Sequence, residues 1–328
     1  MKNDIKQILV IRLSSLGDIL LTTPVLRSLK YLYSDCQITF LCKNEYLNAV
    51  INNPNINNFI ALKAGINEQE VIEKISKEKF DLILDFQNNL RSRQIIKGIK
   101  IPLLRFKKPT LKKFLLVNLK LNLFGRYLSI PELYAHTLPG LALDDYGVDL
   151  FVPQEYITLL NKDEKYIGFI PGSKHFSKRW PDEYFIQLGK LLNKYGYTIV
   201  LFGGKDDKNI CGKINAEITK SKNLCNDNNL YQTVTDMRQC SIIIGNDSGL
   251  IHAASSLPVP LIVLFGSSVE EFGFAPYRKE AVIIQNEALK CRPCSHFGRN
   301  ECPKKHFDCM NGITPNIVFE KIKKTLAL

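Results

Sequence analysis

The chain has 328 residues, 45% of them hydrophobic, and its 44 Lys and Arg against 32 Asp and Glu leave a formal net charge of +12. That length suits two domains of about 150 residues each better than a single core. No apolar run reaches about 18 residues, which excludes a transmembrane helix, and MKNDIKQILVIRL runs from a short apolar stretch into a turn with no small-residue cleavage site, so a cytoplasmic location is expected.

In chain order, ILVIRL, QITFLC, NFIAL and DLILDF read as buried parallel strands, separated by the helical patterns TPVLRSLKYLY and EQEVIEKISKEK. From Gln87 to Pro131 there is no acidic residue, while Arg91, Arg93, Lys97, Lys100, Arg105, Lys107, Lys108, Lys112, Lys113, Lys120 and Arg126 supply nearly the whole net charge. Its core, PLLRFKKPTLKKFLLVNLKLNLFGRYL, interleaves those cations with Leu and Phe. The pattern suits a membrane surface or a phosphorylated lipid. A solvated helical hairpin is the plainer alternative. Nucleic acid is disfavoured, because stacking platforms and recognised binding motifs are missing.

After Pro153 the same grammar restarts. YIGFIPG, YTIVLFGG, SIIIGNDSG and PLIVLFGSS read as strands, with WPDEYFIQLGKLLNKYG and LIHAASSL as helices between them. The expected class is therefore α/β, with two Rossmann-like doubly wound domains over residues 1–153 and 154–328. Ligands in such sheets bind beyond the carboxyl ends of the strands. Three loops lie there: SSLGD, with one carboxylate at Asp18; PGSKHFSKRWP, with Ser173, Lys174, Lys178 and Arg179; and GNDSGLIHAA, with Asn246, Asp247, Ser248 and Gly249 at a helix start. The latter two could clamp a diphosphate without a metal, and no Asp-x-Asp pair offers the usual Mg²⁺ route. Each loop also has a plain structural use: NDSG is a good N-cap, and SKRWP suits a loop before a helix.

IRLSSLGDILLTTPVLRSLK, DLILDFQNNLRSR, PGSKHFSKRWP, LFGGKDD and IGNDSGLIHAASSLPVPLIVLFG together resemble glycosyltransferase family 9, the ADP-heptose:lipopolysaccharide heptosyltransferases, over nearly the whole chain. The resemblance implies the GT-B architecture, two domains facing across a cleft, with inversion at the anomeric centre. It makes Asp18 the base that accepts the acceptor's proton. It assigns Ser173, Lys178, Asp247, Ser248, Gly249 and His252 to the donor, to which the cation Lys174 and, near the ribose position, Asp206 are added as candidates. Ser14, Ser15, Gly17, Arg91, Arg93 and His136 fall to the acceptor. The implied partners are a nucleotide sugar, most simply ADP-heptose, an anionic glycolipid of the lipid A/Kdo type, and the inner face of the cytoplasmic membrane; no cofactor is required for catalysis. The loop GGKDD departs from members that carry a glutamate for the donor ribose. Another nucleotide sugar, an epimerase or hydrolase on the same scaffold, and a zinc-containing nucleic-acid-binding protein are the alternatives.

Cys291, Cys294, Cys302 and Cys309 follow the spacing C-x₂-C-x₇-C-x₆-C, which could hold a structural Zn²⁺, with His296 and His306 nearby. Reduced or buried thiols are the equal alternative, and disulfides are disfavoured in a cytosolic chain.

Overall fold

The computed structural model describes residues 5–63, 65, 68–277 and 281–328; the first four residues of the stretch read for targeting lie outside them. The chain divides into two compact units, residues 1–108 with 128–151, and residues 109–127 with 152–328.

Unit 1 carries a parallel sheet of β1 (Gln7–Ile11), β2 (Gln37–Lys43), β3 (Asn58–Leu62), β4 (Leu82–Asp85) and β5 (Leu103–Arg105) in the order β3-β2-β1-β4-β5. Ile8 lies beside Ile38 on one side and Leu82 on the other. Helices cover the sheet, so its central strands are apolar throughout rather than alternating. The helix Glu68–Lys77 places Val71 and Ile75, one turn apart, against Leu9, Ile11, Leu41, Ile60 and Ile83. Chain order reverses between β1 and β4, which makes their carboxyl ends the place where a ligand is accommodated.

Unit 2 repeats the plan with β6 (Tyr166–Ile170), β7 (Thr198–Leu201), β8 (Ser221–Asn223), β9 (Cys240–Asn246), β10 (Leu261–Phe265) and β11 (Ala281–Gln285), all parallel, in the order β11-β10-β9-β6-β7-β8. Its switch point lies between β6 and β9. Trp180 is wholly buried against Phe185, ring centroids 4.8 Å apart, and its indole N–H donates to the Ile313 carbonyl at 2.7 Å. The C-terminal helix Pro315–Leu326 closes this core with Val318, Phe319 and Ile322.

Two independent α/β units are what the apolar runs call for, but three strands escape the sequence reading. β5, β8 and β11 are all sheet edges; β5 and β8 are only three residues long, and the apolar run of β11, Ala281–Ile284, is short and mostly half-buried. The basic stretch is not the helical hairpin of the plainer alternative: a helical run over residues 110–119 is followed by a segment without regular secondary structure. Residues 109–127 pack with unit 2, although both flanks belong to unit 1.

Candidate active site

At the carboxyl end of β1, Arg12 is buried with its guanidinium 2.5 Å from the Asp18 carboxylate. Its other terminal nitrogen donates to the Phe86 carbonyl at 2.8 Å, and it lies 5.8 Å from the centroid of the Tyr134 ring. Asp18 is the third residue of the short helix Leu16–Leu20, and its second oxygen accepts from the Ser15 hydroxyl at 2.8 Å and the Ser15 N–H at 3.2 Å. Local helix capping therefore accounts for an acid at this position. It does not account for Arg12. Burial pushes the Asp18 carboxyl up, but Arg12 and the two Ser15 donors outweigh it and hold the pKa below its ordinary value. The loop is tied across to β4, where Gln87 Oε1 accepts from the Leu13 and Ser14 N–H groups at 2.9 and 3.3 Å.

Beside it, Asp85 is fully buried and accepts from the Asn88 N–H at 2.7 Å and the Ser92 hydroxyl at 3.0 Å, with Arg105 Nε 3.7 Å away. Arg93 donates to the Asn88 side chain and Lys108 to its carbonyl, each at 3.0 Å. Burial and the neighbouring Arg12 charge lower the Lys108 pKa. The ends of β1, β4 and β5 thus gather cations around two carboxylates. Of the expected acceptor residues, Ser14, Ser15, Gly17 and Arg93 lie in this region. Arg91 pairs instead with Glu68 at 2.6 Å, and His136 is an exposed C-cap of the helix Ile130–Ala135.

In unit 2 the switch point unites the other two loops. Lys178 Nζ lies 2.6 Å from Asp247 Oδ2, which also accepts from the Ser268 hydroxyl at 2.9 Å. Ser173 donates to the Asp247 carbonyl at 3.2 Å, and Arg179 to the Ser173 carbonyl at 2.7 Å. Asn246 clasps both strand ends, accepting from the Trp180 N–H at 2.9 Å and donating to the Pro171 carbonyl at 2.7 Å. Burial raises the Asp247 carboxyl, yet Lys178, then the charge of His252 and the Ser268 bond, bring it below the ordinary range. His252 is buried one turn into the helix Gly249–Ala254; Ser248, its N-cap, has a buried hydroxyl with no hydrogen-bond partner among the described residues. Lys174 is exposed.

Asp206 is exposed in the GGKDD loop, and its neighbour Asp207 is the one turned inward. The Asp207 carboxylate accepts from the Gly204 N–H at 3.0 Å and lies so close over Gly172 that a Cβ there would meet its oxygen at 2.1 Å. Burial raises its pKa. Sequence reasoning also missed Arg12, Asp85, Gln87 and Ser268 as site residues. Asp85 had a visible signal, an acid closing an apolar strand; Ser268 had none.

All four C-terminal cysteines are free thiols. Burial raises the pKa of Cys294, and that of Cys309 to about 11. Among the described residues no three His, Cys, Asp or Glu side chains gather as a metal-binding set. The segment braces the loops that follow β6, β10 and β11. Arg292 donates to the carbonyls of Gly266, Ser268 and Asn286 at 2.6, 2.8 and 2.7 Å, and Ser177 Oγ links the Arg299 N–H to Ser267 Oγ, each at 2.8 Å.

Two parallel α/β units, each with charged side chains at its switch point, make up a Rossmann-like architecture of the kind that accommodates ligands beyond its strand ends. The family model for glycosyltransferase family 9 (heptosyltransferase) matches residues 125–305. The chain belongs to that family and is a glycosyltransferase. It is 26% identical to lipooligosaccharide heptosyltransferase 2 of Haemophilus influenzae, across 98% of this chain and 99% of that one. Its fold is similar to that of a family 9 glycosyltransferase from Veillonella parvula (22% identity, TM-score 0.80, 100% and 99% of the two chains). It is likewise similar to the E. coli ADP-heptose LPS heptosyltransferase II (24% identity, TM-score 0.75, 98% of each chain).

Proposed function

We propose that this chain transfers heptose from ADP-heptose to an anionic acceptor of the lipopolysaccharide inner core, inverting the anomeric carbon, with Asp18 as general base. The observation that carries the reading is the Asp18 carboxylate at the β1–β4 switch point, kept ionised by Arg12 and Ser15. The names of the Haemophilus and E. coli relatives supply the sugar, the nucleotide and the acceptor class.

Roles divide between the units. In unit 1 the acceptor hydroxyl attacks the anomeric carbon; the new C–O bond forms as the bond to the diphosphate breaks. The hydroxyl proton passes to Asp18, and the departing electron pair stays on the diphosphate oxygen. Arg93, Arg105 and Lys108 give the acceptor's anionic groups their counter-charge. In unit 2 Lys178, Ser173 and the Ser248 hydroxyl receive the diphosphate, where positive charge assists departure. Asp247 orients Lys178 rather than reacting. An acceptor anion that draws Arg12 away from Asp18 raises the basicity of the carboxylate at the moment it is needed.

The test is a donor screen with purified protein and a deep-truncated lipopolysaccharide acceptor. ADP-heptose supports transfer, and Asp18→Asn lowers turnover by about 10²- to 10⁴-fold. Wild-type turnover in the variant removes Asp18 from the base role. Hydrolysis or epimerisation with no acceptor requirement overturns the transfer reading altogether.

A further inference from the structure

The stretch 109–127 is amphipathic in the wrong sense for a solvated surface. Lys113 is buried, only 8% exposed, whereas Leu111 is 70%, Phe114 57%, Leu119 58%, Leu121 52% and Leu123 53% exposed. Large apolar side chains normally go inside, and a lysine is almost never fully buried unless paired. Here the lysine is held by His296, with 2.6 Å between Lys113 Nζ and His296 Nε2, and stands 5.6 and 5.3 Å from the ring centroids of Phe272 and Phe274. Further along, Lys120 Nζ donates to the carbonyls of Cys291 and Pro293 at 3.1 and 2.7 Å, and Asn122 donates to Glu271 at 3.0 Å. Lys113, Lys120 and Asn122 thus fasten the strap within unit 2 and Leu116 is buried, while Leu111, Leu119, Leu121 and Leu123 are exposed.

We infer that the strap 109–127 is a docking element for an anionic phospholipid bilayer, inserting Leu111, Phe114, Leu119, Leu121 and Leu123 among the acyl chains. Five large, exposed apolar side chains within one stretch of thirteen residues mark an interaction surface. Charge selects the occupant. Lys112 and Arg126 are exposed within the strap itself, and no acid occurs in the sequence between Asp85 and Glu132. A second copy would bring the same positive strap against the first. Nucleic acid would leave the leucines without a partner, since base stacking calls for aromatic rings. An anionic leaflet satisfies both the cations and the leucines. The inference deepens the proposed function, since it says where a lipid-borne acceptor is met, but it stands on the strap alone and is measured without donor or acceptor.

The full chain is mixed with vesicles of phosphatidylcholine, with and without phosphatidylglycerol, and sedimented. Binding is expected only with the anionic lipid and weakens as salt rises. Leu119→Ser/Leu121→Ser/Leu123→Ser lowers partition about tenfold or more, and Lys112→Gln/Arg126→Gln lowers it about fivefold for each charge removed. Tyr31→Ser, which removes an exposed ring of unit 1, leaves it unchanged. In the wild-type chain, amide exchange over residues 110–123 slows when anionic vesicles are added, a readout that needs no variant. Three results overturn the inference: no wild-type binding to anionic vesicles, no slowing of exchange in the strap, or equal binding by the triple-serine variant. Vesicle binding without heptose transfer upholds the strap and sinks the proposed reaction instead.

Discussion

Replacing Arg12 by Gln should move the pH profile of transfer, in a direction the geometry fixes and within a ceiling set by the ion pair. The guanidinium nitrogen stands 2.5 Å from the Asp18 oxygen, in a site from which water is largely excluded. Charge centres about 4 Å apart at an effective dielectric constant of about 20 interact by about 4 kcal/mol, which is the ceiling on what Arg12 contributes. Water entering beside the shorter, neutral glutamine returns part of it, and the Asp18 pKa rises by what remains. The sign is fixed by the role. Asp18 works deprotonated, so the acid limb of kcat/KM, which reports the free enzyme, shifts to higher pH. Arg12→Lys keeps the charge and holds the limb near its wild-type position. The assay is initial-rate transfer to a soluble truncated acceptor across the pH range at which each variant stays folded. An active Arg12→Gln enzyme whose acid limb superimposes on wild type would refute the reasoning, because either Asp18 is not the titrating base or Arg12 does not set it.

Lys178→Met leaves the buried Asp247 carboxylate without its cation and should cost about 3–5 kcal/mol of stability, seen as a lower Tm together with loss of ADP binding; Lys178→Met/Asp247→Asn should recover the Tm without recovering ADP. An unchanged Tm in the single variant would mean the pair at 2.6 Å contributes nothing. Gly172→Ala drives a methyl into the Asp207 carboxylate, a contact of 2.1 Å before relaxation, and should lower stability by about 1–3 kcal/mol. Gly172→Ala/Asp207→Ala should restore most of that loss.

The two-unit fold was legible because central parallel strands are covered on both faces, and each leaves an uninterrupted apolar run such as ILVIRL or PLIVLF. The edge strands Leu103–Arg105 and Ser221–Asn223 are too short to leave one. Asp18, Lys178 and Asp247 could be picked out because each sits in a short polar loop directly after such a run. What escaped is what folding brings from elsewhere. Ser268 reaches Asp247 from the loop after the neighbouring strand, and Gln87 braces a loop more than 70 residues earlier in the chain. The choice between Asp206 and Asp207 turns on a single residue in a tight 3₁₀ turn, where adjacent side chains point in different directions. Arg12 was readable as a cation closing a strand; its partner was not. The strap was legible in composition but not in attachment, since nothing in PTLKKFLLVNLKLNLFGRY says that Lys113 goes inward.

The interleaving of the strap has a consequence for how the chain matures. Residues 109–127 leave the ribosome well before residues 152–328, the body on which they rest. During that interval Lys113 and Leu116 have no host, and the outward leucines add to an already adhesive nascent segment. A chain released or cleaved near residue 151 would keep that segment without its seat. Unit 1 produced alone from residues 1–151 is therefore a poor mimic of its state in the whole protein, and excision of residues 109–127 with a short bridge is the rational way to obtain it as a soluble module.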